Sequence, residues 1–237
     1  MCGIVGFWSD AQVHHEEAAR TIGSMRDRLQ HRGPDDAGLY VDVDAGLALG
    51  QRRLSIIDLS SAGHQPMVSA CGRYVLVFNG EIYNHRAIRD ELERRGQAPA
   101  WRGHSDTETL LAALMTWGAR HALERLNGMF AFALWDREER VLWLARDRMG
   151  EKPLYYGRVG RTFLFGSELK ALRLHPCWQS EVDREALCQY FRHGYIPSPR
   201  TIYRGILKLP AGCYLEVCDS GRLVGLPRTY WDIHAVA

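Results

Sequence analysis

The chain lacks apolar stretches of membrane-spanning length, and that absence excludes several classes of protein. No apolar run approaches the roughly 18 residues that a membrane-spanning helix requires. The N-terminus lacks the basic segment and long apolar stretch of a secretory signal. Basic tracts are also lacking, and the 30 Lys and Arg residues nearly balance the 28 Asp and Glu residues, which gives no support for nucleic-acid binding. We therefore expect a cytoplasmic globular protein that engages neither a membrane nor nucleic acid.

The cysteines are not spaced for a cluster. The six cysteines form no C-x-x-C pair, and no set of Cys and His residues has zinc-site spacing. Because 46% of the 237 residues are apolar, a hydrophobic core can form without disulfide bonds, and reduced thiols are expected. No metal site is predicted among the ten scattered histidines.

Hydrophobic periodicity and turn signals predict an α+β fold in which helices cover two packed sheets. Long apolar runs on several strands indicate sheets that are buried on both faces. Helices are predicted at about 14–30, 84–95 and 107–117, and from Asp183 to about Phe191. Strands are predicted at about 3–8, 38–43, 47–50, 53–58, 74–80, 129–136 and 140–147, followed by the hairpin LYYGRV and RTFLFG. Asn84 is a candidate N-cap, and Ser105 to Glu108 have the spacing of a capping box.

Cys2, which directly follows the initiator Met1, is the first candidate for chemistry. Its small side chain permits removal of Met1, which would leave a thiol and a free α-amine on one residue. The amine has a reference pKa of about 7.7–8.0 and can accept the thiol proton, as in an activated nucleophile. Taken alone, Cys2 fits better as a small apolar residue at the start of a buried strand.

Asn79 and Gly80 end the apolar strand YVLVF and have two interpretations. An Asn amide donates hydrogen bonds, and Gly lets a backbone N–H approach a ligand, so the pair is suited to bind an oxyanion. Asn-Gly is also the commonest hairpin turn signal, and the local sequence favours that turn.

The charged residues Arg53 and Asp106 would suit the two ends of a free amino acid. Arg binds a carboxylate through two hydrogen bonds, and Asp pairs with an ammonium group. Glu81, beside the Asn-Gly pair, is a candidate to orient the same amine. The alternatives are a solvated strand end for Arg53 and a helix cap for Asp106.

Two other charged clusters have structural interpretations. His31 and Arg32 invite a general-base or phosphate-binding role, but the pair suits the C-terminus of the preceding helix better. Arg146, Asp147 and Arg148 are interpreted as a surface ion-pair cluster that supports the site.

Eight motifs occur in one order with compatible spacing, and together they point to one family. The match runs from residue 2 to about 213 and extends weakly to Trp231. The motifs are MCGIVGF, HRGPDDAG, RRLSIIDLS, FNGEIYN, SDTE, GMFAFALWD, RDRMGEKPLYYG and GSELKAL. With them the chain resembles the glutaminase domain of B-type glutamine-hydrolysing asparagine synthetases. These are class II glutamine amidotransferases with the N-terminal nucleophile hydrolase fold.

The resemblance implies both a fold and an activity. The fold is a four-layer α/β/β/α sandwich of two mainly antiparallel sheets. The activity is hydrolysis of L-glutamine to glutamate and ammonia through a thioester on the N-terminal Cys, with no cofactor in this domain. The residues that match the family's site are the nucleophile Cys2, the oxyanion-hole pair Asn79 and Gly80, the carboxylate-binding Arg53 (not Arg52), and the amine-binding Glu81 and Asp106.

The resemblance also implies a second domain that is absent from this chain. Residues 2–213 match the glutaminase domain, and 214–237 are expected to lead to a synthetase domain that uses ATP and Mg²⁺ to make asparagine from aspartate. That domain carries an S-G-G-x-D-S loop, which this chain lacks. We expect either a fragment of a longer protein or a truncation that acts alone or with a partner chain. The linker-like composition of residues 192–212 favours the fragment. Homodimer formation is also implied by the family.

Three alternatives stay open. The chain could belong to an amidotransferase of the same family that aminates another acceptor, to a hydrolase that cleaves a different amide, or to a non-catalytic binding module of this fold. The motif FNGEIYN and the stretch YIPSPRTI favour the asparagine synthetase branch. The pairing of Arg53 with Asp106 favours a free amino acid as the substrate.

Overall fold

The structure is a computed structural model that describes residues 1–218, 222–223 and 225–235. Within these residues lie thirteen strands and five α-helices. The strands are β1 (Gly3–Ser9), β2 (Asp36–Asp42), β3 (Leu47–Arg53), β4 (Met67–Val68), β5 (Tyr74–Ile82), β6 (Gly128–Asp136), β7 (Val141–Arg146), β8 (Tyr155–Val159), β9 (Thr162–Gly166), β10 (Ile206–Lys208), β11 (Cys213–Cys218), β12 (Arg222–Leu223) and β13 (Arg228–Thr229). The α-helices are α1 (His15–Asp27), α2 (His85–Arg94), α3 (Asp106–Arg125), α4 (Leu169–Leu172) and α5 (Arg184–His193), and short 3-10 helices lie at Ser61–Gly63 and Ile233–Ala235.

The strands form two antiparallel sheets. The first has six strands in the order β10-β8-β9-β1-β3-β2. The second has seven, in the order β12-β11-β7-β6-β5-β4, with β13 also paired to β11. In the second sheet β6 and β7 are joined by a short polar turn as an antiparallel hairpin, and β5 pairs with β6 although α2 and α3 lie between them in sequence.

A central core fills the space between the two sheets. Trp8 of the first sheet and Trp135 of the second meet edge to face, with ring centroids 4.9 Å apart. Side chains alternate across each strand, so Val77 of β5 enters this core while Phe78 packs towards α2 and α3 on the outer face. A third core lies between the first sheet and α1 and α4. The layers are α/β/β/α, and the predicted α+β sandwich of two antiparallel sheets is confirmed.

The helix predictions are confirmed for α1, α2 and α5. Asp183 caps α5, where its side chain accepts hydrogen bonds from two backbone N–H groups. The helix predicted at 107–117 corresponds to the first part of α3. Gly118 (φ 74°, ψ 157°) interrupts the helical conformation there, and a further helical stretch continues to Arg125.

The strand predicted at 53–58 is wrong. Strand β3 ends at Arg53, and the following residues form a loop in which Ile56 is 68% and Leu59 is 78% exposed. The apolar run LSII is typical of a strand, but the Arg53 guanidinium donates hydrogen bonds to the carbonyl groups of Asp58 and Ser60. The chain therefore curls around this side chain instead of extending.

One of the two predicted helix caps makes a capping hydrogen bond. The Ser105 hydroxyl accepts a hydrogen bond from the N–H of Glu108 at 3.2 Å, as an N-cap does. Asn84 stands at the N-cap position of α2, as predicted, but its side chain makes no capping hydrogen bond. Its side chain instead donates to the carbonyl of Arg125 and accepts from the N–H of Asn127, both at 2.9 Å, so it ties the start of α2 to the end of α3.

Strand β11 lies at the predicted domain boundary. It begins at Cys213 and extends the second sheet by pairing with β7. The predicted 214–237 segment thus starts within this sheet, and its residues 219–221, 224 and 236–237 lie outside the described part of the chain. None of the helices in the described part is long and apolar enough to cross a membrane.

The prediction of a surface ion-pair cluster at residues 146–148 is wrong. Asp147 is only 1% exposed, and its carboxylate binds backbone groups instead of Arg side chains. The tight turn after β7 leaves backbone N–H groups inside the protein, where they need acceptors. Asp147 accepts from the N–H groups of Phe130, Met149, Glu151 and Lys152, at 2.9 to 3.2 Å.

Replacing this carboxylate should destabilise the fold. Asp147→Asn turns an amide NH2 towards backbone donors and leaves buried N–H groups unpaired, so we expect the free energy of unfolding to fall by about 2–4 kcal/mol. Urea unfolding measures this. Asp44→Asn, in the exposed β2–β3 turn, makes the same charge change and is the matched control. Equal unfolding midpoints in the two variants would contradict the structural role.

Candidate active site

One cavity collects residues that are distant in sequence. It is open to solvent and lies where the start of β1, the loop after β3, the end of β5 and the start of α3 meet. All six residues predicted from the sequence line it: Cys2, Arg53, Asn79, Gly80, Glu81 and Asp106. Within the described part of the chain, no group of three or more His, Cys, Asp or Glu side chains is arranged to hold a metal ion.

Cys2 directly precedes β1, and its thiol is held by the neighbouring strand. Gly3 pairs with Arg52 of β3, so the loop that follows β3 lies against the Cys2 thiol. The Cys2 Sγ accepts a hydrogen bond from the N–H of Leu54 at 3.3 Å. Burial raises the pKa of the Cys2 thiol, and the Leu54 N–H and the N-terminal ammonium group only partly offset this effect. The thiol therefore needs a base before it can act as a nucleophile.

Met1 lies over the same cavity beside a buried lysine. Met1 is 57% exposed, and its Sδ is 3.3 Å from the Nζ of Lys152, which is only 5% exposed. Both residues line the cavity with Cys2. Removal of Met1 would leave the Cys2 α-amine in this space. Lys152 was not among the residues predicted from the sequence, because nothing local distinguishes it from a surface lysine.

Asn79 and Gly80 lie inside strand β5, so they do not form a hairpin turn. Asn79 is completely buried, and neither its amide N nor its amide O has a hydrogen-bond partner among the described residues. Buried amides are nearly always paired, so an unpaired one that lines a cavity is available to a ligand. A side chain at Gly80 would collide with the Met129 carbonyl and with Phe130, so the close approach of β6 requires glycine.

Arg53 enters the cavity wall from the end of β3 and is 7% exposed. Two of its N–H donors hold the carbonyl groups of Asp58 and Ser60, and Asp36 lies 4.0 Å from the guanidinium. Further donors of the five remain for a ligand carboxylate. Arg52 points to the other face of the strand, where its guanidinium is 4.0 Å from Asp27.

Asp106 is the first residue of α3 and is 5% exposed. Its Oδ2 accepts a hydrogen bond from the N–H of Ile82 at 2.9 Å. Burial raises the pKa of the Asp106 carboxyl, and the charge of nearby Glu81 acts in the same direction. No Lys or Arg of the described residues forms an ion pair with it, so a cationic group in the cavity would meet an uncompensated carboxylate.

The interpretation of His31 and Arg32 as helix-terminating residues is wrong. Helix α1 ends at Asp27, and the Arg32 side chain reaches the nucleophile candidate instead. Its Nε donates to the backbone carbonyl of Cys2 at 2.9 Å, and its Nη1 donates to Glu168 at 2.9 Å. Sequence reasoning missed this contact because Glu168 lies 136 residues further along the chain.

Glu168 is the centre of a small charged cluster behind Cys2. Besides Arg32, it contacts His31 at 2.8 Å and Lys170 at 3.0 Å. Burial alone would raise the pKa of the Glu168 carboxyl, but the hydrogen bonds from these three groups outweigh it and lower the pKa to about 2. The carboxylate is thus ionised at neutral pH and holds Arg32 against the Cys2 carbonyl.

The arrangement agrees with a comparison of the whole sequence with known families. The model of the glutamine amidotransferase domain matches residues 1–231. The chain belongs to this family. The assignment made from the eight motifs is confirmed, and with it the expectation of a catalytic domain.

Relatives of this glutamine amidotransferase domain are much longer proteins. Glutamine-hydrolysing asparagine synthetases 3 and 1 of Bacillus subtilis are 37% and 38% identical over 99% and 93% of this chain, and the matches cover 37% and 34% of their lengths. Amidase chyE of Penicillium rubens is 34% identical over 98% of this chain and 34% of its own length. The chain thus spans about a third of the length of these relatives.

A solved structure shares the fold. The glutamine phosphoribosylpyrophosphate amidotransferase of B. subtilis superposes with a TM-score of 0.69 over 97% of this chain and 49% of its own. The sequences are 21% identical, so this likeness concerns the fold alone.

Removing the Glu168 charge should give a pH-dependent loss of stability. The folded pKa of about 2 lies below the ordinary 4.5, so the contribution is complete above about pH 4.5 and is lost as the pH falls through about 2. Because the cluster is partly exposed, we expect Glu168→Gln to lower the free energy of unfolding at pH 7 by about 1 kcal/mol. Urea unfolding at pH 7, 4.5 and 3 measures this difference.

The matched control is Glu124→Gln, which removes an exposed carboxylate 3.8 Å from Arg120 on α3. We expect it to change the free energy of unfolding by about 0.3 kcal/mol. A deficit in Glu168→Gln that stays the same from pH 7 to pH 3 would refute the ionised cluster.

Proposed function

We propose that this domain hydrolyses L-glutamine to glutamate and ammonia through a thioester on Cys2, after Met1 has been removed. The observation that carries the proposal is the content of one cavity. A thiol, an unpaired and fully buried Asn79 amide, the Arg53 guanidinium and the Asp106 carboxylate all line it. Family membership supports the same activity.

The first step is attack of the Cys2 thiolate on the side-chain amide carbon of glutamine. Burial keeps the thiol protonated, and the Cys2 α-amine, with a reference pKa of about 7.7–8.0, accepts its proton. The C–S bond forms as the carbonyl oxygen becomes an oxyanion. The Asn79 amide and the Gly80 N–H donate hydrogen bonds to this oxygen, which lowers the free energy of the tetrahedral intermediate.

The remaining steps return the enzyme to its initial state. The intermediate collapses, the C–N bond breaks, and the leaving group takes the proton from the Cys2 ammonium to depart as ammonia. Water then attacks the γ-glutamyl thioester, with the same amine as base. Glutamate is released and the thiol is regenerated, so no oxidant, reductant or cofactor takes part in this half-reaction.

Recognition of a free amino acid follows from the charges around the cavity. The free donors of Arg53 bind the α-carboxylate of glutamine. Asp106 and Glu81 bind its α-ammonium group, which supplies the counter-charge that the buried Asp106 carboxylate lacks. These groups divide into a reacting pair, Cys2 with Asn79, and a binding set at the other end of the substrate, Arg53 with Asp106 and Glu81.

In the complete protein, the ammonia would serve asparagine synthesis from aspartate. Two relatives are named as asparagine synthetases and are about three times as long as this chain. We propose that residues 2–213 are the glutaminase domain and that 214–237 lead to a synthetase domain, in cis or on a partner chain, which binds ATP and Mg²⁺. The same domain is compatible with another acceptor for the ammonia. It is also compatible with a homodimer in the cytoplasm.

Amidase chyE is the observation that favours a second candidate function, cleavage of a different amide. A substrate without a free α-amine would gain nothing from Asp106. Comparison of L-glutamine with N-acetyl-L-glutamine distinguishes the two functions. Preference for the acetylated compound would favour the amidase, and preference for glutamine the glutaminase.

Labelling with an electrophilic glutamine analogue tests the nucleophile. We expect 6-diazo-5-oxo-norleucine to form a single adduct on Cys2 of the chain that lacks Met1, because the analogue carries both the carboxylate and the amine. Cys2→Ala should show neither adduct nor glutamine turnover. Intact mass, peptide mapping and an ammonia assay measure these outcomes. Cys188→Ala, at an exposed thiol of α5, is the control and should retain both. Turnover in Cys2→Ala would end the proposal.

Truncation of Asn79 tests the oxyanion hole. Asn79→Ala removes a donor that acts on the oxyanion, so we expect kcat to fall by about 10²–10³-fold with KM little changed. Steady-state glutaminase kinetics measure both constants. Asn127→Ala, at an exposed amide, is the control and should match the parent chain. A raised KM at unchanged kcat would instead make Asn79 a substrate-binding residue.

A further inference from the structure

One carboxylate joins the two loops that carry the charged groups of the site. Asp58, in the loop after β3, is 8% exposed. Its Oδ1 accepts from the hydroxyl and the N–H of Ser60 at 2.6 and 2.8 Å, and its Oδ2 accepts from the N–H of His104 at 3.0 Å. The Ser60 hydroxyl, followed by these two N–H groups, lowers the pKa of Asp58 to about 2, so it is ionised at neutral pH. His104 stands two residues before Asp106.

The same residue also shapes the surroundings of Arg53. The backbone carbonyl of Asp58 accepts a hydrogen bond from the guanidinium, and so does the carbonyl of Ser60, at 3.0 Å. A side chain at Gly63 would overlap the guanidinium, so the loop closes tightly around it. Fixing the Asp58 carboxylate therefore fixes the carbonyls that orient Arg53.

The loop before α3 is held from both sides. The Glu108 carboxylate accepts from the N–H groups of Arg102 and Gly103 at 2.8 and 3.0 Å, which attaches the loop to the helix. Asp58 attaches it to the other loop through His104. A side chain at Gly103 would overlap Asp58 Oδ2, so this close approach requires glycine.

We propose that Asp58 is a positioning residue that sets the separation between Arg53 and Asp106 and thereby selects a free α-amino acid. The inference rests on the proposed glutaminase function and goes further, because it assigns specificity to a residue whose carboxylate is occupied by hydrogen bonds within the protein. Asp58 holds the groups at the amino-acid end of the cavity. Its loss should therefore weaken binding of that end and leave the chemistry at Cys2 largely intact.

Two variants test the link in the full chain without Met1. Asp58→Asn removes the charge, and Gly103→Ala keeps the charge but forces the loops apart. We expect each to raise both KM for L-glutamine and the inhibition constant of the product L-glutamate about tenfold, with kcat within about threefold of the parent. Asp44→Asn and Gly23→Ala, whose added Cβ would meet nothing within 4 Å, are the matched controls and should match the parent.

The readouts separate the possible failures. A general folding defect reduces the fraction of active enzyme, which lowers the apparent kcat but leaves KM and the inhibition constant unchanged. That result would overturn the inference. Parent-like constants in both variants would also overturn it. If Asp58→Asn does not fold, Gly103→Ala decides by the same criteria. A parent chain that does not hydrolyse glutamine refutes the proposed function itself, which distinguishes that failure from this one.

Discussion

Strand β1 is hydrogen-bonded on both sides, to β3 and to β9, and the position of the candidate nucleophile depends on this pairing. A shift of register in β1 would move apolar side chains between the two cores that it separates and would place a side chain at the Gly6 position, where it would collide with Phe165. Cys2 directly precedes β1, so the same pairing restrains the position of its backbone. The Leu54 N–H at its thiol and the Arg32 guanidinium at its carbonyl complete the restraint, so three separate segments fix one residue.

The cavity contains buried polar groups whose hydrogen-bond or charge partners are incomplete. The buried Asn79 amide lacks a hydrogen-bond partner among the described residues, and the buried Asp106 carboxylate lacks an ion-pair partner there. Leaving the Asn79 amide unpaired in the empty site costs about 1–3 kcal/mol. The two-sheet core around Trp8 and Trp135 supplies the stability that offsets this cost. A ligand with an amide and an ammonium group satisfies both sites, which links the architecture to the proposed substrate.

The layers of the fold were predictable because strands and helices leave periodic apolar patterns. The residues of the cavity were predictable only from the eight motifs taken together. Cys2 alone, or the Asn-Gly pair alone, favoured a structural interpretation. The wrong predictions share one cause, the binding of a polar side chain to a distant or curled backbone. Arg53 binds the backbone carbonyls of a loop where an apolar run predicts a strand, Arg32 binds the backbone carbonyl of Cys2, and Asp147 binds the backbone N–H groups of a buried turn. Periodicity carries no information about such contacts.

The most direct test of the account is to trap the covalent intermediate. The chain without Met1 would be mixed with L-glutamine, quenched in acid during turnover, and its peptides weighed by mass spectrometry. We expect a γ-glutamyl thioester on Cys2 that accumulates with glutamine and disappears when the substrate is exhausted. Steady turnover with no acyl group on Cys2, or with the acyl group on another residue, would contradict the account.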